Sequence, residues 1–268
     1  ELAERGLRNG AWWLAPADPI GVRELLATPR VLVAFDAPIG LPKDCAPVRG
    51  TVDFPSFPAG LSDGEPFFEP AASPNEVRLA RPFYPRRAGC ARRVHPLGSA
   101  CVNRGLYRQC DRLAGAGSLF RTLGPEQCGR AALSLWRELL RSARPGVALW
   151  PFDGPLAVLS GAGRAVVAET CSGLAYRLLG LPRFAKTRAA DRARLTGCSG
   201  ERLVVLDARL APELEPNSDR VPSGRDHGFD ALLGCLFLLE IGEGRRGSGD
   251  PVPAEAAPIE GWILGLVA

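Results

Sequence analysis

Apolar and polar positions alternate along this chain in two rhythms, and the rhythms predict its elements. Gly10–Ala15 (GAWWLA) reads as a strand, and Ile20–Ala27 (IGVRELLA) as a short helix closed by Thr28-Pro29. Val31–Phe35 (VLVAF) is apolar without alternation, the pattern of a strand covered on both faces of a sheet. Cys128–Ala143 carries Leu133, Trp136, Leu139 and Leu140 at helical spacing and stops at Pro145-Gly146. Val147–Phe152 and Arg164–Glu169 predict two further strands, with a short helix from Thr170 to Leu179 closed by Gly180 and Pro182. Lys186–Leu195 is a basic helical stretch. Asp226–Gly242 begins a strongly apolar helix in which Leu233, Phe237 and Ile241 are the buried positions. Strands interleaved with helices predict a layered α/β architecture without internal repeats.

Between the third and fourth of these elements the rhythm is lost. Pro47–Pro85 is dominated by Pro, Gly, Ser, Phe and acids, and a stretch this long within a compact domain is functional or mobile. It continues through RPFYPRRAGCARR (Arg81–Arg93) and the Gly-rich turn GAGSLFRTLG (Gly115–Gly124), so residues 46–145 are expected to form an insertion within a single domain spanning 1–268.

Charge changes this picture. Of 33 basic residues only Lys43 and Lys186 are lysine, which is the mark of a GC-rich genome and lowers the meaning of any lone arginine. Distribution carries more: Glu76–Arg144 holds 14 arginines against four acids, +10, so the remainder of a chain with net charge +4 is −6. A basic insertion in an acidic frame points to a polyanion. Arg81, Arg86, Arg87, Arg92 and Arg93 are the candidate phosphate contacts, with Phe83, Tyr84 and His95 beside them to stack on bases. A solvated arginine-rich loop has the same composition.

Composition otherwise sets bounds. The 268 residues are 46% hydrophobic and 23% charged, which suits a globular protein. No apolar stretch reaches the roughly 20 residues of a membrane-spanning helix, and a cytoplasmic location is the expectation. There is no methionine, not even at position 1, so the natural N-terminus is expected to lie ahead of Glu1. Eight cysteines without a CxxC pair read as reduced and mostly buried. The five tryptophans, Trp12, Trp13, Trp136, Trp150 and Trp262, read as core. Neither GxSxG nor a Cys-His arrangement is present, and GAGSLF lacks the P-loop pattern and reads as a structural turn.

The candidate chemistry lies in four carboxylates. Asp36 ends one apolar strand, Glu169 ends another, and Asp226 and Asp230 are i,i+4 neighbours on one helix face. In open α/β sheets the carboxyl ends of strands border the ligand crevice. Acids gathered there call for a cation, and a hard divalent ion such as Mg²⁺ or Mn²⁺, singly or as a pair, takes oxygen ligands and serves phosphodiester hydrolysis. Each acid also has a plain structural use. Asp226 suits a helix N-cap, Asp36 a turn cap before Pro38, and Glu169 a cap or an arginine partner. Asp230 inside an apolar helix is the costliest to leave unpartnered. His227 suits a surface or capping position beside Asp226, or proton transfer.

FDAPIGLP, AETCSGLAYRLLGL, DHGFDALLGCLFLLEI and IEGWILG, in this order, resemble the blocks of the DUF429 family, described as predicted nucleases with an RNase H-like fold. The middle segment, with RPFYPRR, GAGSLFRTLG and WPFDG, is similar to a longer subgroup of it, so the likeness runs from about Trp12 to the C-terminus. The resemblance implies a central mixed sheet flanked by helices, with two metal ions held by acids from the first strand, the fourth strand and the last helix. Asp36 matches the fourth-strand acid and Asp230, with Asp226, the helix acids. Glu169 belongs to a block usually written ETYP, whose tyrosine and proline are Cys171 and Ser172 here. The first-strand acid has no counterpart, since the segment before Gly10 is too short for a full strand carrying an aspartate, and without it metal binding is expected to be poor. The expectation is a metal-dependent nuclease without an organic cofactor. Its rivals are a non-catalytic nucleic-acid- or protein-binding module and a small-molecule phosphotransferase.

Overall fold

The computed structural model describes residues 3–8, 11–16, 22–45, 52–59, 64–87, 105–123, 127–141, 146–181, 188–194, 204–206, 210 and 226–268. Along the chain these form β1 (Ala3–Arg8), β2 (Ala11–Pro16), α1 (Val22–Ala27), β3 (Leu32–Phe35), α2 (Ser56–Ala59), α3 (Gln109–Ala114), α4 (Gly129–Arg141), β4 (Val147–Leu149), α5 (Leu156–Gly161), β5 (Ala165–Glu169), α6 (Ser172–Leu178), α7 (Ala189–Arg192), β6 (Val204–Leu206) and α8 (Asp226–Gly242). The chain divides into two compact units. Glu1–Gly21 and Ser172–Gly247 make the first; Val22–Cys171 and Ser248–Ala268 make the second.

The second unit is built on an open parallel sheet of order β3-β5-β4, with α1 and α5 packed on β5, which makes the fold α/β. β5 lies between two partners and all five of its residues are buried. β3 differs from its sequence reading. Among the described residues it pairs only with β5, and of its four residues only Val33 is buried. An unbroken apolar run predicts double cover; in the described sheet β3 is the terminal strand, where cover is thinner.

The first unit holds a mixed sheet of order β1-β2-β6, with β2 antiparallel to β1 and parallel to β6. The segment ahead of Gly10, expected to be too short for a full strand carrying an aspartate, does form a six-residue strand, Ala3–Arg8. It pairs antiparallel with β2 along its whole length, from Ala3↔Pro16 to Arg8↔Ala11, so a short segment is held by the strand that follows it. β1 carries Glu4 and no aspartate. The long helix α8 packs against α6 and β1, and its Phe229, Leu233 and Phe237 have no exposed surface.

The stretch expected as an insertion supplies much of the second unit's core. Phe54, Phe57, Phe67, Phe68, Phe83, Phe120 and Trp136 form one cluster with Val33, Leu149 and Val167 of the sheet. Trp136 of α4 sits at its centre, its ring 5.2 Å from Phe54, 6.0 Å from Phe83 and 6.2 Å from Phe67. Its indole Nε1–H donates to Pro38 O at 2.7 Å, so α4 is tied to the loop that follows Asp36. Phe83 and Tyr84 do not serve as stacking platforms: they are 0% and 2% exposed, because burying two rings in the aromatic cluster is worth more than leaving them in water. Trp150 and Trp262 are buried as expected, while the side chains of Trp12 and Trp13 lie outside the described residues. Of the five described cysteines, Cys110 and Cys235 are buried and Cys45, Cys128 and Cys171 are half-buried. No helix among the described residues is long and apolar enough to cross a membrane.

Candidate functional site

Asp36 and Glu169 reach neighbouring positions by different fates. Phe35 pairs with Glu169 in the β3-β5 register, and Thr170 N–H donates to Phe35 O at 2.9 Å as the chain leaves the sheet. Asp36, one residue on, is exposed, whereas Glu169 is 3% exposed. The carboxyl end of the sheet therefore presents one of the two acids outward and turns the other inward.

The inward acid meets an arginine, one of the two plain readings its sequence allows. Arg108 is fully buried and faces Glu169 two-pronged, Nη1 to Oε2 and Nη2 to Oε1, each at 2.6 Å. Its Nε and Nη2 donate to Asp111 Oδ2 at 3.1 Å and Oδ1 at 2.7 Å, and Nη1 donates again to Glu260 O at 3.3 Å. All five guanidinium N–H groups are thus engaged, which a buried arginine requires because each charge taken from water costs several kcal/mol. Burial works against the charge on Arg108, but the carboxylates of Asp111 and Glu169 outweigh it and hold its pKa well above the ordinary arginine value. Burial pushes the Glu169 carboxyl upward, against the pull of Arg108.

Two carboxylates, those of Asp111 and Glu169, pair with this single cation, and main-chain donors complete the set. Glu169 Oε2 accepts Ile39 N–H at 2.7 Å; the buried Glu260 accepts Lys43 N–H at 3.0 Å and Gln109 N–H at 2.7 Å; Asp111 accepts Arg108 N–H at 2.9 Å. The result is a clamp on the loop carrying Asp36. Leu41 N–H donates to Ile259 O at 2.9 Å, and at the crossing a Cβ on Gly40 would lie 1.9 Å from Glu260 O while one on Gly261 would lie 2.3 Å from Ile39 O. Both glycines also have positive φ, 143° and 65°. Gly40→Ala is accordingly expected to cost about 1–3 kcal/mol from overpacking alone. A thermal melt of the variant checks this, and an unchanged Tm would mean that the crossing yields easily.

The remaining predicted residues fall as follows. Asp226 and Asp230 both lie on α8 in the first unit. The Asp226 side chain is outside the described residues; Asp230 is half-buried and accepts the Tyr176 hydroxyl at 3.0 Å. Nearby, the buried Arg192 sits 4.7 Å over the Phe229 ring. His227 is exposed. Arg81 is held inside its own loop by Glu76 at 2.7 Å, Glu69 at 3.5 Å and the Pro70 carbonyl, while Arg86 and Arg87 are exposed. Arg92, Arg93 and His95 lie outside the described residues. Ser118 Oγ donates to Leu106 O and is buried, and Gly115 closes α3 in the left-handed region, so GAGSLF is a structural turn. Burial pushes the Cys128 thiol up to about 12 and that of Cys110 well above its ordinary value, which keeps both un-ionised and poor nucleophiles at neutral pH.

Sequence reasoning missed Arg108, Asp111 and Glu260. Asp111 follows Arg108 by three residues, the spacing of an acid that reaches back to a helix start, and Glu260 is a lone acid in the apolar run before Trp262. Nothing distinguishes Arg108 among 31 arginines. Among the described residues no group of three or more His, Cys, Asp or Glu is arranged to hold a metal ion.

The chain matches no family model, no curated protein and no solved structure.

Proposed function

We propose that the chain is a metal-dependent phosphodiesterase acting on nucleic acid, with Asp36 as its principal metal-binding carboxylate. The observation that carries this reading is the exposed Asp36 at the carboxyl end of a parallel strand, on a loop clamped by Glu169 and Glu260. Such a position borders the ligand crevice of open α/β sheets, and a rigid loop keeps a carboxylate where chemistry needs it. Asp36 has the oxygen donors that Mg²⁺ or Mn²⁺ prefers. Glu169 does not fit as a ligand, because both of its oxygens are occupied by N–H donors. A bound ion would supply an activated water and charge neutralisation at phosphate. Asp230, the other acid placed by the resemblance, enters the test as a separate arm.

Cleavage of labelled DNA and RNA with Mg²⁺ or Mn²⁺ decides the matter. Asp36→Asn is expected to lose more than the about 10–100-fold typical of removing a group that only supports a metal ligand. At an exposed position its stability should stay within about 0.5 kcal/mol of the parent. Equal cleavage by both proteins sinks the proposal, and Asp230→Asn measures the second acid in the same assay.

The engagement of Glu169 by Arg108 favours one rival, a non-catalytic binding module, because it removes one of four candidate acids from chemistry. That rival predicts nucleic-acid binding unchanged in Asp36→Asn and no cleavage by the parent protein.

A further inference from the structure

We infer that Arg86, Arg87 and Arg130 form a docking face for the phosphate backbone of duplex nucleic acid. The inference rests on the phosphodiesterase reading and adds the form of substrate and the surface that receives it.

The face is fixed by main chain. Tyr84 N–H donates to Phe120 O at 3.0 Å, Thr122 N–H returns to Tyr84 O at 3.1 Å, and Arg86 N–H donates to Ala71 O at 2.8 Å, so the residues leading to Arg86 and Arg87 are strapped down. The start of α4 presses on the same strap. Gly129 N–H donates to Arg121 O at 2.9 Å, and a Cβ on Gly129 would lie 2.6 Å from Leu119 O. The next residue, Arg130, reaches Arg86 O through Nη2 at 3.1 Å. Three exposed arginines are thus held together at one place.

Among the described residues none of the three pairs with an acid: Glu69 and Glu76 are engaged by Arg81 and Asp111 by Arg108, while Glu126, four residues ahead of Arg130, lies outside the described residues. The first turn of α4 contains no acid either, although cations at a helix N-terminus oppose its dipole and like charges side by side repel. A phosphate anion at this face relieves both.

Duplex is favoured over single strand by what the face lacks. Single-strand binders add aromatic rings on which bases stack. Here Phe83 and Tyr84, the rings beside these arginines in sequence, are inside the core. Among the described residues this face offers cations without rings, which read only backbone charge, and a duplex presents one charge per about 1.7 Å of axis against about 3.4 Å per strand.

The test is fluorescence anisotropy with a short labelled DNA duplex and its own single strand, in EDTA so that nothing is cleaved, across a range of salt. The variant Arg86→Ala/Arg87→Ala/Arg130→Ala is compared with Arg164→Ala/Arg177→Ala/Arg188→Ala, which removes three exposed arginines elsewhere. The first is expected to bind duplex about tenfold or more weakly near 0.1 M salt, with a log-log salt slope shallower by about 3, and the second to lose clearly less. The single charge reversal Arg87→Glu, at an exposed side chain, should weaken binding in the same direction. Parent-like binding by the first triple variant, an equal loss in the second, or tighter binding of the single strand overturns the inference. Failure of the catalytic reading looks different: duplex binding that depends on the three arginines, with no cleavage when Mg²⁺ or Mn²⁺ is restored.

Discussion

Arg108→Ala is expected to destabilise the second unit by about 3–5 kcal/mol, the cost of breaking a buried ion pair and leaving its partners unpaired. Two acids would then be left without their cation: Glu169 at 3% and Asp111 at 1% exposure. Since a domain's whole stability is about 5–15 kcal/mol, such a loss takes a large share of it. Urea unfolding followed by tryptophan emission measures it as a fall in midpoint. Amide exchange adds a local readout, because Ile39 N–H donates to Glu169 and should lose protection before the sheet does. Arg108→Lys keeps the charge but cannot form the two-pronged contact, and should fall between the parent and the alanine variant. A loss below about 0.5 kcal/mol for Arg108→Ala would place it with ordinary surface substitutions and contradict the clamp.

Trp136→Ala is expected to cost about 3–5 kcal/mol, because a fully buried ring surrounded by Phe54, Phe57, Phe67 and Phe83 leaves a cavity that these rings cannot close. Trp136→Phe separates packing from hydrogen bonding. It retains an aromatic ring but removes the donor to Pro38 O, and the stranded carbonyl should cost about 1–3 kcal/mol. Thermal or urea unfolding of the two variants gives both numbers. If the phenylalanine variant matches the parent, the indole hydrogen bond does not hold the Asp36 loop to α4.

The candidate site was legible only in its outward half. A run of five apolar residues ending in an acid is a local pattern, so Asp36 was marked by its own neighbours. Glu169 was marked by the same logic, and the sequence left its use open between a cap, an arginine partner and a ligand. In the fold its carboxylate meets Arg108, 61 residues away and indistinguishable by composition from 30 other arginines. Periodicity reports which face of an element is apolar; it carries no term for a partner brought from another element. The core role of residues 46–145 was hidden for a related reason. Their phenylalanines occur without a repeat, because they enter the core from turns and short helical segments rather than from one face of one element.

Several features were determined by sequence alone, through interactions that act within a few residues. These are the alternation of strands and helices, the helices at Gly129–Arg141 and Asp226–Gly242, the buried Trp136, and Asp36 at a strand end. The tertiary structure decided the rest. It placed β5 rather than β3 under full cover, drew Phe83 and Tyr84 into the core, and turned Glu169 toward Arg108 while leaving Asp36 in solvent. The physical reason is common to all of these. The cost of burying a charge or the gain from burying a ring depends on which distant groups arrive beside it, and that is fixed only when the chain has folded.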